Sequence, residues 1–152
     1  MEDAREMSEH RAKINWKKES ESFDYEAYNR SHEWTFENGH VVPASSAPKF
    51  LGDPGRVDPE EAFVASVSAC HMLTFLAICA RKRLTVLSYV DDAVGYLEPR
   101  EDKKLWMSRV TLCPRIEFEG EAPDADTIAR LHDSAHRNCF IANSVQTDVT
   151  VE

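Results

Sequence analysis

Hydrophobic and polar positions change period several times along the chain, and each change marks an element. From His10 to Trp16 the alternation is weak but strand-compatible, and Lys17 to Asp24 is a polar connection. The pattern then sharpens: Tyr28, Arg30, His32, Trp34 and Phe36 alternate with Asn29, Ser31, Glu33, Thr35 and Glu37, a period of two that predicts a strand ending at an Asn38-Gly39 turn. Arg30 and His32 then share a face with three aromatic rings, where a guanidinium needs a carboxylate or a ligand to meet it. Between Pro43 and Val57 stand three prolines and two glycines, which predict an irregular loop able to line a site.

A helix start follows. Asp58 is suited to the N-cap, Pro59 to the first helical position, and Glu61 falls three residues after the cap as in a capping box. The predicted helix runs from Pro59 to Arg83, with the basic residues Arg81, Lys82 and Arg83 at the end that favours cations. Ala62 to Ala80 carries no charge, but Ser66, Ser68, His71 and Thr74 interrupt the run and Glu60 and Glu61 precede it. The expectation is therefore the buried central helix of a soluble domain rather than a membrane span. Thr85 to Leu97 and Leu105 to Phe118 read as two long strands joined by the polar segment Glu98 to Asp102, with Pro114 marking an edge or a bulge. A second helix is predicted from Asp124 to Arg137. Val145, Thr147, Val149 and Val151 then alternate with polar residues in a half-buried final strand. N-terminal strands, a long central helix, antiparallel strands, a second helix and a last strand make an α+β domain.

Length and charge narrow the class. At 152 residues the chain suits one domain spanning 1–152. Its net charge of −9 would repel a phosphate backbone, so nucleic acid is not an expected partner. Four cysteines without the dense spacing of a secreted miniprotein fit a reducing compartment, and the charged N-terminus shows no signal or lipidation motif, so a cytoplasmic location is expected.

Cysteines supply the candidate chemistry. Cys70, in the middle of the uncharged helix, is either an inert core residue or a reactive thiol. Cys79 lies nine positions on, about 180° around and about 14 Å along an ideal helix, so the two cannot pair. Cys113 has no flanking polar partner and reads as structural. Cys139 follows the helix end His136-Arg137-Asn138, where basic groups could stabilise a thiolate. With His132 and His136 it also forms a face that could contact zinc, but a fourth ligand is missing in the sequence and no metal is expected.

These residues carry a resemblance. Asp58-Pro59-Glu60-Glu61-Ala62-Phe63 followed by Ala69-Cys70 resembles the central-helix motif of the OsmC/Ohr family, and Ala135-His136 with Cys139 resembles its second motif. The order of elements agrees over roughly residues 8 to 152. The resemblance implies an intertwined homodimer of α+β subunits and thiol-dependent reduction of organic hydroperoxides, without a cofactor. By motif position Cys70 would be the peroxidatic cysteine, Cys139 the resolving one, and Glu60 the acidic partner of an arginine supplied by the N-terminal strands, for which Arg30 is preferred to Arg11. One position departs from the family: Phe140 stands where proline commonly follows the second cysteine.

The chemistry expected is attack by the Cys70 thiolate on the distal peroxide oxygen, release of an alcohol, and capture of the sulfenic acid by Cys139. The resulting disulfide needs an external dithiol for reduction. An apolar wall of Tyr28, Trp34 and Phe63 would favour an organic peroxide over hydrogen peroxide. The alternative is a stress or small-ligand-binding protein on the same scaffold with silent cysteines. Ten residues of uninterrupted helix separate Glu60 from Cys70 by about 15 Å, farther than a carboxylate side chain reaches. If Glu60 serves the Cys70 site, it is expected to come from a partner subunit.

Overall fold

The structure is a computed structural model and describes residues 7–152, which fall into two compact units dividing between Pro59 and Glu60.

The first unit is built on a three-stranded antiparallel sheet of β1 (Ala12–Asn15), β2 (His32–Phe36) and β3 (Val41–Ala44), with β2 in the middle. The Asn38-Gly39 turn joins β2 to β3 as its sequence predicts. Gly39 has φ of +84°, and the Asn38 side chain accepts the His40 N–H. Three sequence expectations need correction here. The strand assigned from Tyr28 begins only at His32, because Asp24 to Tyr28 forms a turn, with the Ala27 and Tyr28 N–H groups both donating to the Asp24 carbonyl. Phe36, expected on an inward face, is exposed. Finally, Val41 to Ala44 is a strand in spite of Pro43, which sits in β3 at the edge of the sheet, where a missing N–H is tolerated. The rest of the proline-rich segment is irregular, with one 3-10 turn at Pro48–Phe50. It folds back so that Ser45 and Val57 bond each other's neighbourhood: Ser45 N–H donates to Val57 O, and Val57 N–H to Pro43 O. Gly52 is obligatory in it, since a Cβ there would stand 1.6 Å from the Ser46 carbonyl oxygen.

The second unit opens with α1 (Pro59–Arg81). Its C-terminus is closed by Arg83 in the left-handed conformation, with Leu84 N–H bonded to Cys79 O and Arg83 N–H to Ala80 O, two residues short of the predicted end. Every fourth residue from Val67, namely Val67, His71, Phe75 and Cys79, is buried. This single stripe carries both cores. Val67 meets Val110, Leu112 and Val149, whereas Phe75 and Cys79 meet Phe118, Leu131 and Ala135. Another face, with Ala65, Ser66, Ala69 and Leu73, is exposed. The helix is long and apolar enough to cross a membrane by length and composition, yet only 22% of its apolar stretch is buried within the chain.

The two long strands predicted after α1 are each broken in two. β4 (Val86–Asp91) pairs with β7 (Pro114–Phe118), and β5 (Val94–Pro99) pairs with β6 (Leu105–Leu112), so one long hairpin bends at Asp91 to Ala93 and at Cys113 and enters two sheets. The Asp91 carboxylate occupies the bend. It accepts the Ser68 hydroxyl from α1 and the Cys113 N–H at 2.6 Å. Pro114 begins β7 just past the break, as its missing N–H favours. α2 (Ala125–Asn138) starts at Asp124, whose carboxylate caps the Thr127 N–H at 2.8 Å. β8 (Asp148–Val151) runs parallel to β6 and buries Val149, while Asp148 and Thr150 face outward, the alternation read from the sequence.

Candidate active site: two thiols where the helices meet

Cys70 projects from the middle of α1 and is half-buried, whereas Cys139 is buried. Cys139 is the C-cap of α2, where the chain leaves the helix (φ −73°, ψ 116°) with its N–H on His136 O. From there it turns into a 3-10 segment at Ala142–Ser144, and Asn143 N–H returns to the Cys139 carbonyl at 3.0 Å. This arrangement brings the side chains of Cys70 and Cys139 close enough for each thiol to act on the other. Both are free thiols. Burial pushes the Cys139 thiol up and the adjacent Cys70 thiol adds to the effect, while the N–H groups of Ala142 and Ile141 pull the other way. The pair is thus positioned for sulfur-to-sulfur exchange, with Cys70 the more accessible member.

Next to this pair lies a feature that the sequence reading did not single out. His71 on α1 and His132 on α2 stack with ring centroids 5.2 Å apart and share a hydrogen bond of 2.9 Å between His71 Nε2 and His132 Nδ1. Phe75 stacks on His132 from one helical turn along, centroids 4.4 Å apart. His71 is fully buried and its Nδ1 has no hydrogen-bond partner among the described residues. Burial pulls His71 down to about 4, with His132 and His136 acting in the same direction and Asp91 opposing them. His132 is lowered as well, again chiefly by burial. The available signal was the four-residue spacing that puts His71 in the stripe of Val67, Phe75 and Cys79. The zinc face considered for His132, His136 and Cys139 does not form: His132 turns into the core, His136 is exposed, and no metal-binding cluster occurs among the described residues.

Arg30 belongs to the first unit. It lies outside the strand to which the sequence assigned it, in the stretch just before β2. Its guanidinium donates to the carbonyls of Tyr28, at 2.6 Å, and Tyr25, and lies over both tyrosine rings, 3.6 Å from the Tyr28 centroid. Beside it runs a short relay in which Trp34 Nε1–H donates to His32 Nε2 and the His32 Nδ1 meets Arg30 O. Because Nε2 accepts, Nδ1 carries the proton and donates. Arg11 differs, since it is exposed and paired with Glu9 and Glu37. Glu60 stands in the first turn of α1, on an uninterrupted helix ten residues from Cys70. Its Oε2 is buried without a hydrogen-bond partner among the described residues.

Comparison with known proteins places this geometry. The family model described as OsmC-like protein matches residues 52–152, more than half of the chain. No curated protein shows significant similarity to the sequence. Among solved structures, an OsmC-like protein of unknown function from Vibrio cholerae is 45% identical, with a TM-score of 0.90 over 96% of this chain and 99% of that one. An organic hydroperoxide resistance protein from Elizabethkingia anophelis is 15% identical, with a TM-score of 0.71 over 97% of this chain and 98% of its own. The organic hydroperoxide resistance protein OhrB of Bacillus subtilis is 17% identical, with a TM-score of 0.67 over 93% and 96%. The last two share the fold. Profile, identity and topology together establish that the chain belongs to the OsmC-like protein family.

Proposed function

We propose that this protein is a thiol-dependent peroxidase that reduces organic hydroperoxides, with Cys70 as the peroxidatic and Cys139 as the resolving cysteine. The observation that carries the reading is the adjacency of the two thiols, one half-buried and one buried. The Cys70 thiolate attacks the distal oxygen of the hydroperoxide. An S–O bond forms, the O–O bond breaks, and the alkoxide takes up a proton to leave as alcohol. The Cys139 thiol then attacks the Cys70 sulfur, giving a disulfide and releasing water, and an external dithiol restores both thiols. Arg30 supplies the cation that orients the peroxide, with the carbonyls and rings of Tyr25 and Tyr28 holding its guanidinium in place. A cytoplasmic setting fits the free thiols the cycle requires.

The working form in this proposal is a homodimer. Ala62, Ser66, Ala69, Leu73, Leu76 and Ala80 follow one another along α1 at steps of four and three, the spacing of a helix-pairing seam, and Leu73 is 62% exposed. The buried Glu60 oxygen, without a hydrogen-bond partner among the described residues, fits a carboxylate whose arginine comes from the neighbouring subunit. Stopped-flow mixing of the reduced protein with cumene hydroperoxide tests the reading. Rapid loss of both thiols with a Cys70–Cys139 crosslink in the mass spectrum is expected; unreactive thiols, or a crosslink elsewhere, would overturn it.

A further inference from the structure

A cavity with a volume of about 440 Å³ lies between α2 and the strands β7 and β8. Its walls are apolar, formed by Ile116, Phe118, Ala125, Ile128, Ala129 and Val151, and its size falls in the range of small-molecule sites. One polar ring belongs to its lining. His132 is 7% exposed; its Nδ1 is taken by His71 and one face by Phe75, which leaves the Nε2 edge to reach the cavity.

The hydrogen-bond pattern fixes what that edge presents. His71 Nδ1 is buried without a partner among the described residues, and a bare acceptor is tolerated there better than an orphaned N–H. The proton of His71 therefore sits on Nε2 and is donated to His132 Nδ1, so His132 carries its own proton on Nε2, as a donor. The carboxylates of Asp133 and Glu152 also belong to the lining, Glu152 accepting the Cys113 thiol at 3.5 Å, and both residues are exposed. They disfavour an anion.

We infer that this cavity is a binding site for a neutral, largely apolar small molecule with one hydrogen-bond-accepting oxygen, held by His132 Nε2–H. The inference stands apart from the peroxidase reading, because it uses neither cysteine of the thiol pair.

Three probes of similar shape separate the contributions: benzophenone, its hydrocarbon counterpart 1,1-diphenylethylene, and the anion 4-benzoylbenzoate. Each is titrated into the intact protein while the methyl resonances of Ile116, Ile128 and Val151 are followed. Benzophenone should shift all three and bind up to about tenfold more tightly than the hydrocarbon, the worth of one hydrogen bond, with the anion weaker than the ketone. His132→Leu should bring the ketone down to the hydrocarbon's affinity. Should that variant fail to fold, Ala129→Trp decides the matter, because it fills the cavity from an exposed position of α2 and should abolish the shifts. Unmoved methyl resonances, equal affinity for ketone and hydrocarbon, or shifts that survive Ala129→Trp would each overturn the assignment.

Discussion

Arg30 is anchored within the first unit. Two backbone carbonyls fix the guanidinium and two tyrosine rings back it. In the proposed cycle this cation meets the peroxide, whereas Arg11 is exposed and paired with Glu9 and Glu37. Replacing Arg30 with Met should slow thiol loss on mixing with cumene hydroperoxide by about a hundredfold, the usual worth of a charge acting on the transition state, and Arg11→Met should leave it unchanged. The reverse ranking in stopped-flow traces would transfer the role. Cys70→Ser should abolish turnover, and Cys139→Ser should stop after one equivalent of peroxide and leave Cys70 as sulfenic and then sulfinic acid, detectable by mass. His71 gives a prediction for stability. Its folded-state value of about 4 lies below its unfolded value of 6.5, so the unfolded chain binds more protons between those pH values. The contribution is fully present above about pH 6.5 and is lost as pH falls toward 4, amounting to about 3 kcal/mol. His132 acts in the same sense, and Asp91 works against both. Urea midpoints measured from pH 7 to pH 4 should fall steeply for the wild type and less so for His71→Gln; parallel curves would remove His71 as the cause.

At the level of elements, the bend in the long hairpin is held by Asp91, which ties α1 to the strand break through Ser68 and Cys113. Asp91→Ala should cost about 1–3 kcal/mol by leaving the Cys113 N–H unsatisfied, measured as a lowered thermal midpoint. Ser68→Ala, which removes a donor that can be lost with less penalty, should cost less. The bend also shows what the sequence could and could not convey. Both arms of the hairpin have continuous strand-like patterns, and the polar segment from Glu98 to Asp102 correctly marks where they join. Nothing in the period of Thr85 to Leu97 discloses that Asp91 pairs outside its own strand, because that partner lies on α1. Helix limits were legible where their signals are local, as at Pro59 and at the Asp124 cap. Tyr28 and Arg30 were misplaced for a different reason: their alternation is genuine, but the Asp24 to Tyr28 turn and the cation–aromatic packing outweigh a weak strand preference. Motif spacing singled out Cys70 and Cys139, which the structure places side by side, whereas the contact between the helices through His71 and His132 required coordinates.

For the whole molecule, the proposed seam on α1 and the buried Glu60 oxygen lead to a test of assembly. Leu73→Glu would place a charge in the proposed seam and should convert a dimer to a monomer by light scattering, with loss of turnover. Mixed dimers of Cys70→Ser and Glu60→Ala subunits, assayed beside each parent, should regain activity, because one of the two sites then holds an intact Cys70 together with an intact Glu60 from its neighbour. Absence of complementation would confine each site to one chain.

The parallel pairing of β8 with β6 has a consequence for how the molecule is made. Leu105–Leu112 finds its hairpin partner β5 nearby in sequence, and such local pairing forms within about 10 μs. Its other edge must wait for Asp148–Val151, far along the chain, which also brings Val149 into the core with Val67 and Val110. On the ribosome, the nascent chain therefore carries an open β6 edge and an unfinished core until β8 emerges, and Cys70 remains without Cys139 for most of that interval. Pulse-labelling of stalled chains with a thiol reagent should find Cys70 freely reactive until α2 and β8 have both cleared the exit tunnel, and this window is when an intermolecular disulfide or β-edge aggregation is most accessible.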